Sequence, residues 1–410
     1  MKLPQISEIA VRGKTVLVRA AFDVPMSEGQ ICDDSRIRDC LPTLRTLLEK
    51  NAKIVIISKL GRPEGWDSSF SLEPAAMKLA EILGRKFIAL DEGATSLPEY
   101  SIPHLYFFKH NIEKSSPKQL ISQMREKDIA VLENLLFYDK EKENNSDFAR
   151  LLAGCADVYV NEAFASCHRT EASIARIPEF LPSAAGLGLV REIASLERIL
   201  NHPKKPVVVM MGGVKLSTKA PALENLAKFA DEVLLGGGLA NLFLKARGYE
   251  IGRSVWEKQQ ETLARKILRD HREKIKLPLD VVVSNSDMEM VEVVKISEVK
   301  PHHMILDIGP ATIGEYSGYL KKGKTLIWNG PMGYFEKKPF SHGTYSLARL
   351  FASRTGREVY GVAGGGETLE AIHNLGMEKY IDHVSTGGGA MLDFLAGKEL
   401  PGLKALMKTE

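Results

Sequence analysis

Short apolar and β-branched runs alternate with longer segments of helical periodicity from one end of the chain to the other. Apolar runs without polar alternation are typical of strands that are buried on both faces of a parallel sheet. One polar stretch, residues 138–147, has neither pattern and is predicted to be an exposed loop. The predicted strands are residues 16–19, 54–58, 87–90, 129–133, 158–161, 207–211, 232–235, 280–283, 304–308, 325–328, 359–363 and 383–385.

This alternation predicts an α/β protein with two doubly wound, Rossmann-like parallel-sheet lobes, because so many strands exceed the usual size of one sheet. Ligands of such lobes bind at the carboxyl ends of the strands. Prolines and glycines interrupt the pattern over residues 178–188, and a helical segment that can join the lobes as a hinge follows. The predicted organisation is a first domain at 1–186, a hinge helix at 187–201, a second domain at 202–390 and a C-terminal segment at 391–410 that packs back on the first domain.

Composition excludes several classes of protein. The chain has 410 residues, of which 44% are hydrophobic and 26% charged, so it can form sizeable cores without disulfides or metals. Its four cysteines include no CxxC pair, which is typical of a reducing compartment. A net charge of +3 favours neither nucleic acid nor an anionic membrane as a partner. No apolar run reaches the roughly 20 residues that span a bilayer, and no signal peptide is recognisable, so we expect a cytoplasmic location. We also expect a monomer.

The placement of glycines in the second half points to a phosphate site. Each of four glycine clusters follows a predicted strand and precedes a segment that can be helical. Glycine lets backbone N–H groups approach an anion at a helix N-terminus. One such cluster can be a tight turn, but four at the strand ends of one sheet predict a nucleotide or phosphate site. The clusters are Gly212-Gly213, Gly236-Gly237-Gly238, Gly364-Gly365-Gly366 and Gly387-Gly388-Gly389.

Two lysines follow the first glycine cluster. Lys215 and Lys219 share one helix face if this segment is helical, and like charges on adjacent turns repel unless an anion lies between them. A solvated lysine face is the alternative interpretation. The segment is not a GxxxxGK[ST] loop, and no GxGxxG follows the first predicted strand.

The first half carries arginines at or just after predicted strand ends. Arginine forks bind carboxylate and phosphate with two hydrogen bonds. Any one of them can be a surface ion pair, but together they predict a basic pocket for a small acid. They are Arg19, Arg36, Arg38, Arg62 and Arg169, with His168 beside the last.

Specific motifs occur along the whole chain. In the first half they are Asp33-Asp34-Ser35-Arg36-Ile37, Leu60-Gly61-Arg62-Pro63, Leu132-Glu133-Asn134, Asn161-Glu162-Ala163-Phe164 and His168-Arg169. In the second half they include Gly212 to Lys219, Asp307-Ile308-Gly309-Pro310, Trp328-Asn329-Gly330-Pro331-Met332-Gly333, Phe335-Glu336 and His383 to Ala390. By these motifs, and over essentially its whole length, the chain resembles the phosphoglycerate kinase family.

The resemblance implies reversible phosphoryl transfer between 1,3-bisphosphoglycerate and ADP, giving 3-phosphoglycerate and ATP with Mg²⁺. It implies that the first lobe binds the acid, that the second binds the nucleotide, and that hinge closure brings them together. Such chemistry depends mainly on positioning and charge neutralisation.

The resemblance also implies roles for the matching residues. Arg36 would steady the acid's carboxylate and the transferring phosphoryl group, and Lys219, with Lys215 nearby, would stabilise the phosphoryl oxygens. Residues implied in acid binding are Asp23, Lys59, Arg62, His168 and Arg169, of which Arg62 and Arg169 would grip the acid's phosphate. Residues implied in nucleotide binding are Gly213, Lys215, Lys219, Gly237, Gly238, Pro331, Glu336 at the ribose, Gly365, Gly366, Glu367 as the Mg²⁺ ligand, and Thr368.

Departures from the family pattern lie mainly in the implied acid pocket. The usual aspartate is Ala21, the usual asparagine is Asp23, and the usual histidine before Leu-Gly-Arg-Pro is Lys59. The usual arginine after Glu-Asn-Leu is Leu136, and a usual aspartate in the nucleotide lobe is Glu367. We therefore expect an altered acid pocket around an unchanged phosphoryl-transfer core.

Three alternatives remain open from the sequence. One is a related kinase that phosphorylates another small carboxylate, and a second is a nucleotide-binding protein without turnover. The retention of both Arg36 and Lys219 argues against the second. A hydride-transfer enzyme is less favoured because the dinucleotide fingerprint is absent.

Overall fold

The computed structural model describes residues 2–98, 100–109, 111–114, 117–356 and 358–407. The chain divides into two compact units, and the predicted α/β class with a parallel sheet in each is confirmed. The first unit comprises Met1–Ile193 with Glu399–Glu410, and the second comprises Ala194–Lys398.

The strands of the first unit are β1 (Thr15–Arg19), β2 (Met26–Ser27), β3 (Gln30–Ile31), β4 (Lys53–Ile57), β5 (Lys86–Leu90), β6 (His104–Phe108), β7 (Ile129–Leu132), β8 (Val158–Asn161) and β9 (Ser183–Ala185). Seven of them form a parallel sheet in the order β5-β6-β7-β4-β1-β8-β9. The remaining two, β2 and β3, pair as an antiparallel hairpin directly after β1.

The helices that begin in the first unit are α1 (Ser35–Glu49), α2 (Glu73–Leu83), α3 (Lys118–Ser122), α4 (Asp139–Lys142), α5 (Ser146–Ala153) and α6 (Leu187–Asn201). Helix α1 buries Ile37, Cys40, Leu44 and Leu47, whose spacing gives one apolar stripe toward the sheet. The first turn of α1 carries Arg36 next to the buried Ile37, so the packing of the helix fixes the backbone position of that arginine.

In the second unit the strands are β10 (Val207–Met211), β11 (Glu232–Leu235), β12 (Ile275–Lys276), β13 (Asp280–Ser284), β14 (Glu292–Lys295), β15 (Met304–Ile308), β16 (Thr325–Asn329), β17 (Tyr360–Gly364) and β18 (His383–Ser385). Six of them form a parallel sheet in the order β12-β11-β10-β16-β17-β18. The other three form an antiparallel sheet with β13 in the middle.

The remaining helices are α7 (Leu216–Phe229), α8 (Gly237–Ala246), α9 (Glu261–Asp270), α10 (Pro310–Lys322), α11 (His342–Arg354), α12 (Gly366–His373), α13 (Gly389–Leu395) and α14 (Pro401–Met407). Helix α13 packs on α7, where Asn225 donates to the carbonyl oxygen of Leu395 at 2.7 Å. Residues of the predicted C-terminal segment up to Lys398 thus group with the second unit. The last three residues of that segment lie outside the described part of the chain.

Helix α14 packs in the first unit on the π-helical turn Ala172–Arg176. The N–H of Gly402 donates to the carbonyl oxygen of Cys167 at 2.9 Å. A Cβ atom on Gly402 would lie 2.8 Å from a methyl group of Ile174 and 3.0 Å from the Cα of Cys167. Only glycine therefore allows this close approach.

Every predicted strand is present, but the sheet assignment of two is wrong. Strands β13 and β15 pair antiparallel, whereas the sequence placed both in parallel sheets. Every residue of β13 is buried, so it lacks the alternation that distinguishes a half-exposed antiparallel strand. The predictions also missed the buried strand β6, as well as β9, β12, β14 and the β2–β3 hairpin.

Residues 138–147 are largely exposed, as predicted, but the prediction that the whole stretch is a loop is wrong. The stretch contains α4, and the side chains of Tyr138 and Glu141 are buried. None of the helices in the described part of the chain has the length and apolar character that a bilayer crossing requires.

Candidate functional site

The glycine clusters of the second unit lie where the sequence predicts, at junctions between strands and helices. They connect β10 to α7, β11 to α8, β17 to α12 and β18 to α13. Because all of these strands belong to one parallel sheet, their carboxyl ends share one edge. This edge forms the floor of the candidate nucleotide site.

Two glycines leave space for charged side chains at this edge. Gly213 has φ of +82°, and a Cβ atom there would lie 2.9 Å from Nζ of Lys219 and 3.3 Å from Oε2 of Glu367. Gly330 has φ of +92°, and a Cβ atom added there would lie 2.4 Å from Nζ of Lys219. The ammonium, the carboxylate and the two glycine backbones therefore form one group.

Lys219 is held inside the protein rather than on its surface. It is 9% exposed, and Nζ donates to the carbonyl oxygen of Gly212 at 2.5 Å. Burial lowers the pKa of Lys219 to about 8, although the Glu367 charge acts in the opposite direction. An ammonium has three donors, so this contact leaves two for an anion.

Lys215 does not share a helix face with Lys219. Helix α7 begins at Leu216, and Lys215 precedes it with extended backbone angles and an exposed side chain. The condition on which the sequence argument rested, a helix that contains both lysines, is not met.

A cavity of about 320 Å³ opens beside these groups. Of the residues implied in nucleotide binding, Gly213, Gly237, Gly238, Pro331, Glu336 and Glu367 line it.

The apolar wall of this cavity is what sequence reasoning missed. It includes Val214, Val255, Met304, Ile305 and Tyr334. Val214, Val255 and Tyr334 are exposed large hydrophobic side chains. A partly open apolar slot with a few polar groups suits a planar base. These residues come from separate loops and from β15, so no local pattern in the sequence groups them.

Asp307 also lines the cavity, although no role was predicted for it. Its carboxylate accepts from the N–H groups of Ile308 at 2.9 Å and Gly343 at 2.8 Å. Burial raises its pKa to about 7, although both hydrogen bonds lower it. Both oxygens are used by the backbone, so Asp307 shapes the loops around the cavity.

Residues at the start of α12 divide into two kinds. Thr368 is buried, and its hydroxyl accepts from the N–H of Gly330 at 2.6 Å, so it holds the loop after β16. Gly365 has φ of +102°, and Gly366 and Glu367 are exposed at the first turn.

No group of three or more potential metal-ligating side chains occurs among the described residues. A single carboxylate still fits Mg²⁺, which proteins usually bind through one or two carboxylates together with substrate phosphates.

In the first unit, the candidate acid site is centred on Asp23. Its carboxylate accepts hydrogen bonds from Nζ of Lys59 and from the N–H of Gly61, the latter at 2.9 Å. Arg36 donates to the carbonyl oxygen of Asp23 and lies 3.8 Å from its carboxylate. Three residues implied by the family resemblance are thus brought together.

The charges of this group are mutually dependent. Burial opposes ionisation of Asp23, yet the Lys59 charge and the hydrogen bonds from Lys59 and Gly61 hold its pKa below the usual value. Burial lowers the pKa of Lys59 although Asp23 raises it, and the charges of Arg19 and Arg169 lower it further. Arg169 therefore lies close enough to Lys59 to affect it.

The other implied acid-binding residues are more accessible. Arg62 is exposed and directly follows Gly61. His168 and Arg169 are half-buried, and Nη1 of Arg169 donates to Oε1 of Glu171 at 3.0 Å. Leu136, at the position of a usual arginine, is buried in the turn Leu135–Phe137.

Two arginines predicted for the basic pocket have other partners. Arg19 is fully buried, where Nε donates to Ser173 and Nη1 to the carbonyl oxygen of Ala20. Arg38 pairs with Asp34 one turn earlier on the surface. The sequence could not separate these cases, because strand-end position says nothing about which way a side chain points.

Comparisons with known proteins agree with this geometry. The model of the family described as phosphoglycerate kinase matches residues 6–398. The phosphoglycerate kinase of Dictyoglomus turgidum is 40% identical over 97% of this chain and 96% of its own. That of Pelotomaculum thermopropionicum is 38% identical over 98% of both chains.

Solved structures lead to the same family. The phosphoglycerate kinase of Coxiella burnetii covers 99% of both chains with a TM-score of 0.83 and 34% identity. That of Pyrococcus horikoshii covers 99% of this chain and 98% of its own with a TM-score of 0.81 and 30% identity. The fold, the glycine-lined cavity and these matches together establish that the chain belongs to the phosphoglycerate kinase family.

Proposed function

We propose that this protein transfers a phosphoryl group reversibly between 1,3-bisphosphoglycerate and ADP, giving 3-phosphoglycerate and ATP, through an acid pocket altered from the family pattern. As a member of this family it is an ATP-dependent phosphotransferase of glycolysis that acts on small molecules. The observation that carries the proposal is the buried ammonium of Lys219 beside Gly213 and Glu367, two residues that line the candidate nucleotide cavity.

The nucleotide would lie across the glycine-lined edge of the second unit. The absence of side chains at Gly213, Gly237 and Gly238 leaves its phosphates room to approach the start of α8, where the helix dipole favours negative charge. Glu336 would meet the ribose, and the apolar wall would receive the base.

Two cations would stabilise the transferring group. Lys219 supplies donors from a poorly solvated position, where a charge interacts more strongly than in water. Arg36 would contact the acid's carboxylate and the phosphoryl oxygens, since its guanidinium is fixed at the start of α1 by Asp23. Lys215, exposed before α7, would add positive charge near the phosphates.

Mg²⁺ bound with the nucleotide would neutralise phosphate charge. Glu367 would be its protein ligand, because this carboxylate is exposed at the cavity within reach of the phosphate-binding glycines. Thr368 would support the site by holding the loop at Gly330.

The acid would bind in the first unit, where Arg62, His168 and Arg169 would contact its phosphate. Lys59 would present less net positive charge to the acid than an unpaired lysine, because its ammonium is paired with the carboxylate of Asp23. Leu136 supplies no charge at all. We therefore expect a KM for 3-phosphoglycerate that is higher than in fully matching relatives by roughly one to two orders of magnitude.

A coupled assay with 3-phosphoglycerate, ATP and Mg²⁺ tests the proposal. Turnover with a raised KM for the acid and an ordinary KM for ATP is the expected result. The alterations at Lys59 and Leu136 also fit a kinase of another small carboxylate. Faster turnover of another small carboxylic acid than of 3-phosphoglycerate in the same assay would favour that alternative, and nucleotide binding without any turnover would exclude both.

A further inference from the structure

Glu171 is not among the residues implied in acid or nucleotide binding, yet its carboxylate contacts Arg169, which is. Its side chain is 7% exposed and lies between two guanidinium groups. Oε1 accepts from Nη1 of Arg169 at 3.0 Å, and Oε2 lies 3.6 Å from Nη2 of Arg19. One carboxylate thus connects a half-buried arginine to a fully buried one.

The buried arginine is fixed independently of any ligand. Nε of Arg19 donates to the hydroxyl of Ser173 at 2.8 Å, and Nη1 donates to the carbonyl oxygen of Ala20 at 2.7 Å. The same hydroxyl donates to Glu141 at 2.5 Å, and the N–H of Ser173 donates to the other oxygen of that carboxylate at 2.9 Å. Charge-assisted hydrogen bonds of this kind are strong and directional. Arg19 is therefore a rigid support.

The side chain of Arg169, in contrast, is not fixed by burial. Its side chain is 34% exposed, and a free arginine has many rotamers to lose on binding a ligand. The bond to Glu171 uses one terminal nitrogen and leaves the other nitrogens of the guanidinium available.

We propose that Glu171 is a positioning residue that holds Arg169 in the orientation needed to bind the phosphate of the acid. Resting on the proposed function, this inference adds a residue for which the family resemblance implies no role. Arg19 then acts through Glu171 and does not touch the substrate. The arrangement prepares Arg169 before binding, so its effect is on acid affinity and not on nucleotide affinity or on the rate of the bound complex.

Glu171→Ala is the direct test. We expect KM for 3-phosphoglycerate to rise by roughly tenfold, with kcat and KM for ATP within about twofold of the unmodified protein. Glu171→Gln keeps an oxygen that can accept from Arg169, so it should recover a large part of the affinity. Glu179→Ala is a matched control, because Glu179 also pairs with an arginine in the first unit, Arg176 at 3.4 Å, on the surface.

A double-mutant cycle shows whether Glu171 acts through Arg169. In an Arg169→Met background, Glu171→Met should raise KM no further. Arg19 loses this neighbouring carboxylate in the double variant but keeps its hydrogen bonds to Ser173 and to the carbonyl oxygen of Ala20. Independent, additive effects on KM would overturn the inference, as would equal losses in kcat and in KM for both substrates. An unmodified protein without turnover would overturn the proposed function and this inference together, whereas additive effects in an active enzyme overturn this inference alone.

Discussion

The carboxylate of Asp23 accepts a hydrogen bond from the ammonium of Lys59, and the two residues occupy positions where the family usually has asparagine and histidine. Two departures that look independent in the sequence are therefore one ion pair in the structure. The lysine side chain is 10% exposed and the aspartate 33%. An ammonium this buried needs a nearby anion, so each change makes the other tolerable.

The pair predicts strong coupling between substitutions. Asp23→Asn alone should lower the free energy of unfolding by about 1–3 kcal/mol, less than for a fully buried pair, because Asp23 is partly solvated. Asp23→Asn combined with Lys59→His should recover most of this loss. Urea denaturation of the single and double variants measures the free energy of unfolding of each. Additive losses would contradict the coupling between Asp23 and Lys59.

The difference in the free energy of unfolding between the unmodified protein and Asp23→Asn also depends on pH. Because the pKa of Asp23 is lowered in the folded state, its stabilising effect is present above the unfolded pKa of about 4 and is lost as the pH falls through the folded value. The difference between the unmodified protein and Asp23→Asn should therefore shrink below about pH 4.

Lys219→Ala tests the phosphoryl-transfer site. Loss of a donor that acts mainly on the transition state should lower kcat by roughly 100- to 1,000-fold and weaken nucleotide binding much less. Lys228→Ala removes an exposed lysine from the same helix and is the matched control. Near-normal kcat in Lys219→Ala would show that Lys219 is not part of the phosphoryl-transfer site.

The pKa of Lys219, about 8, also predicts a pH profile. The ammonium is the active form, so kcat/KM for ATP should fall as the pH rises through about 8 in the free enzyme. Bound phosphates favour the charged form, so kcat at saturating ATP should fall only at higher pH. Identical profiles for the two quantities would show that another group controls activity.

Gly330→Ala should severely weaken nucleotide binding. The new methyl group would lie 2.4 Å from Nζ of Lys219 and 2.4 Å from the carbonyl oxygen of Gly212, at a positive φ. Gly314→Ala in α10 is the control, because that methyl group meets nothing within 4 Å and should be neutral or slightly stabilising. Calorimetric titration with ADP compares the two.

Leu136→Arg should lower KM for 3-phosphoglycerate by about tenfold and leave KM for ATP unchanged, because it restores a guanidinium at a position where the family usually has one. Leu136→Met keeps the site apolar and separates charge from changes in packing. An equal effect of both variants on KM would mean that packing, not charge, is responsible.

The sequence predicted most strands of the two parallel sheets and the glycine junctions, because both are local features. Buried strands are recognisable from a few consecutive residues, and glycine at a strand end has a backbone reason that does not depend on distant neighbours. The same locality explains why β13 was assigned to the wrong kind of sheet, since its pairing is decided by partners far along the chain.

The glycine junctions of the candidate site follow from local sequence, whereas the partners of its charged side chains do not. Nothing in the sequence shows that Asp23 would face Lys59, 36 residues away, or that Arg19 would turn into the core toward Ser173, 154 residues away. The apolar wall of the nucleotide cavity was missed for the same reason, because it is assembled from distant segments.

The packing of α14 on the turn Ala172–Arg176 has a consequence for biosynthesis. That turn begins directly after Glu171 and contains Ser173, the partner of Arg19. Chains emerge from the ribosome N-terminus first, and domains generally fold in that order. Here the turn gains its packing partner only after the whole second unit and residues 401–407 have been made. The first unit, although most of its sequence is translated first, is the last to be completed.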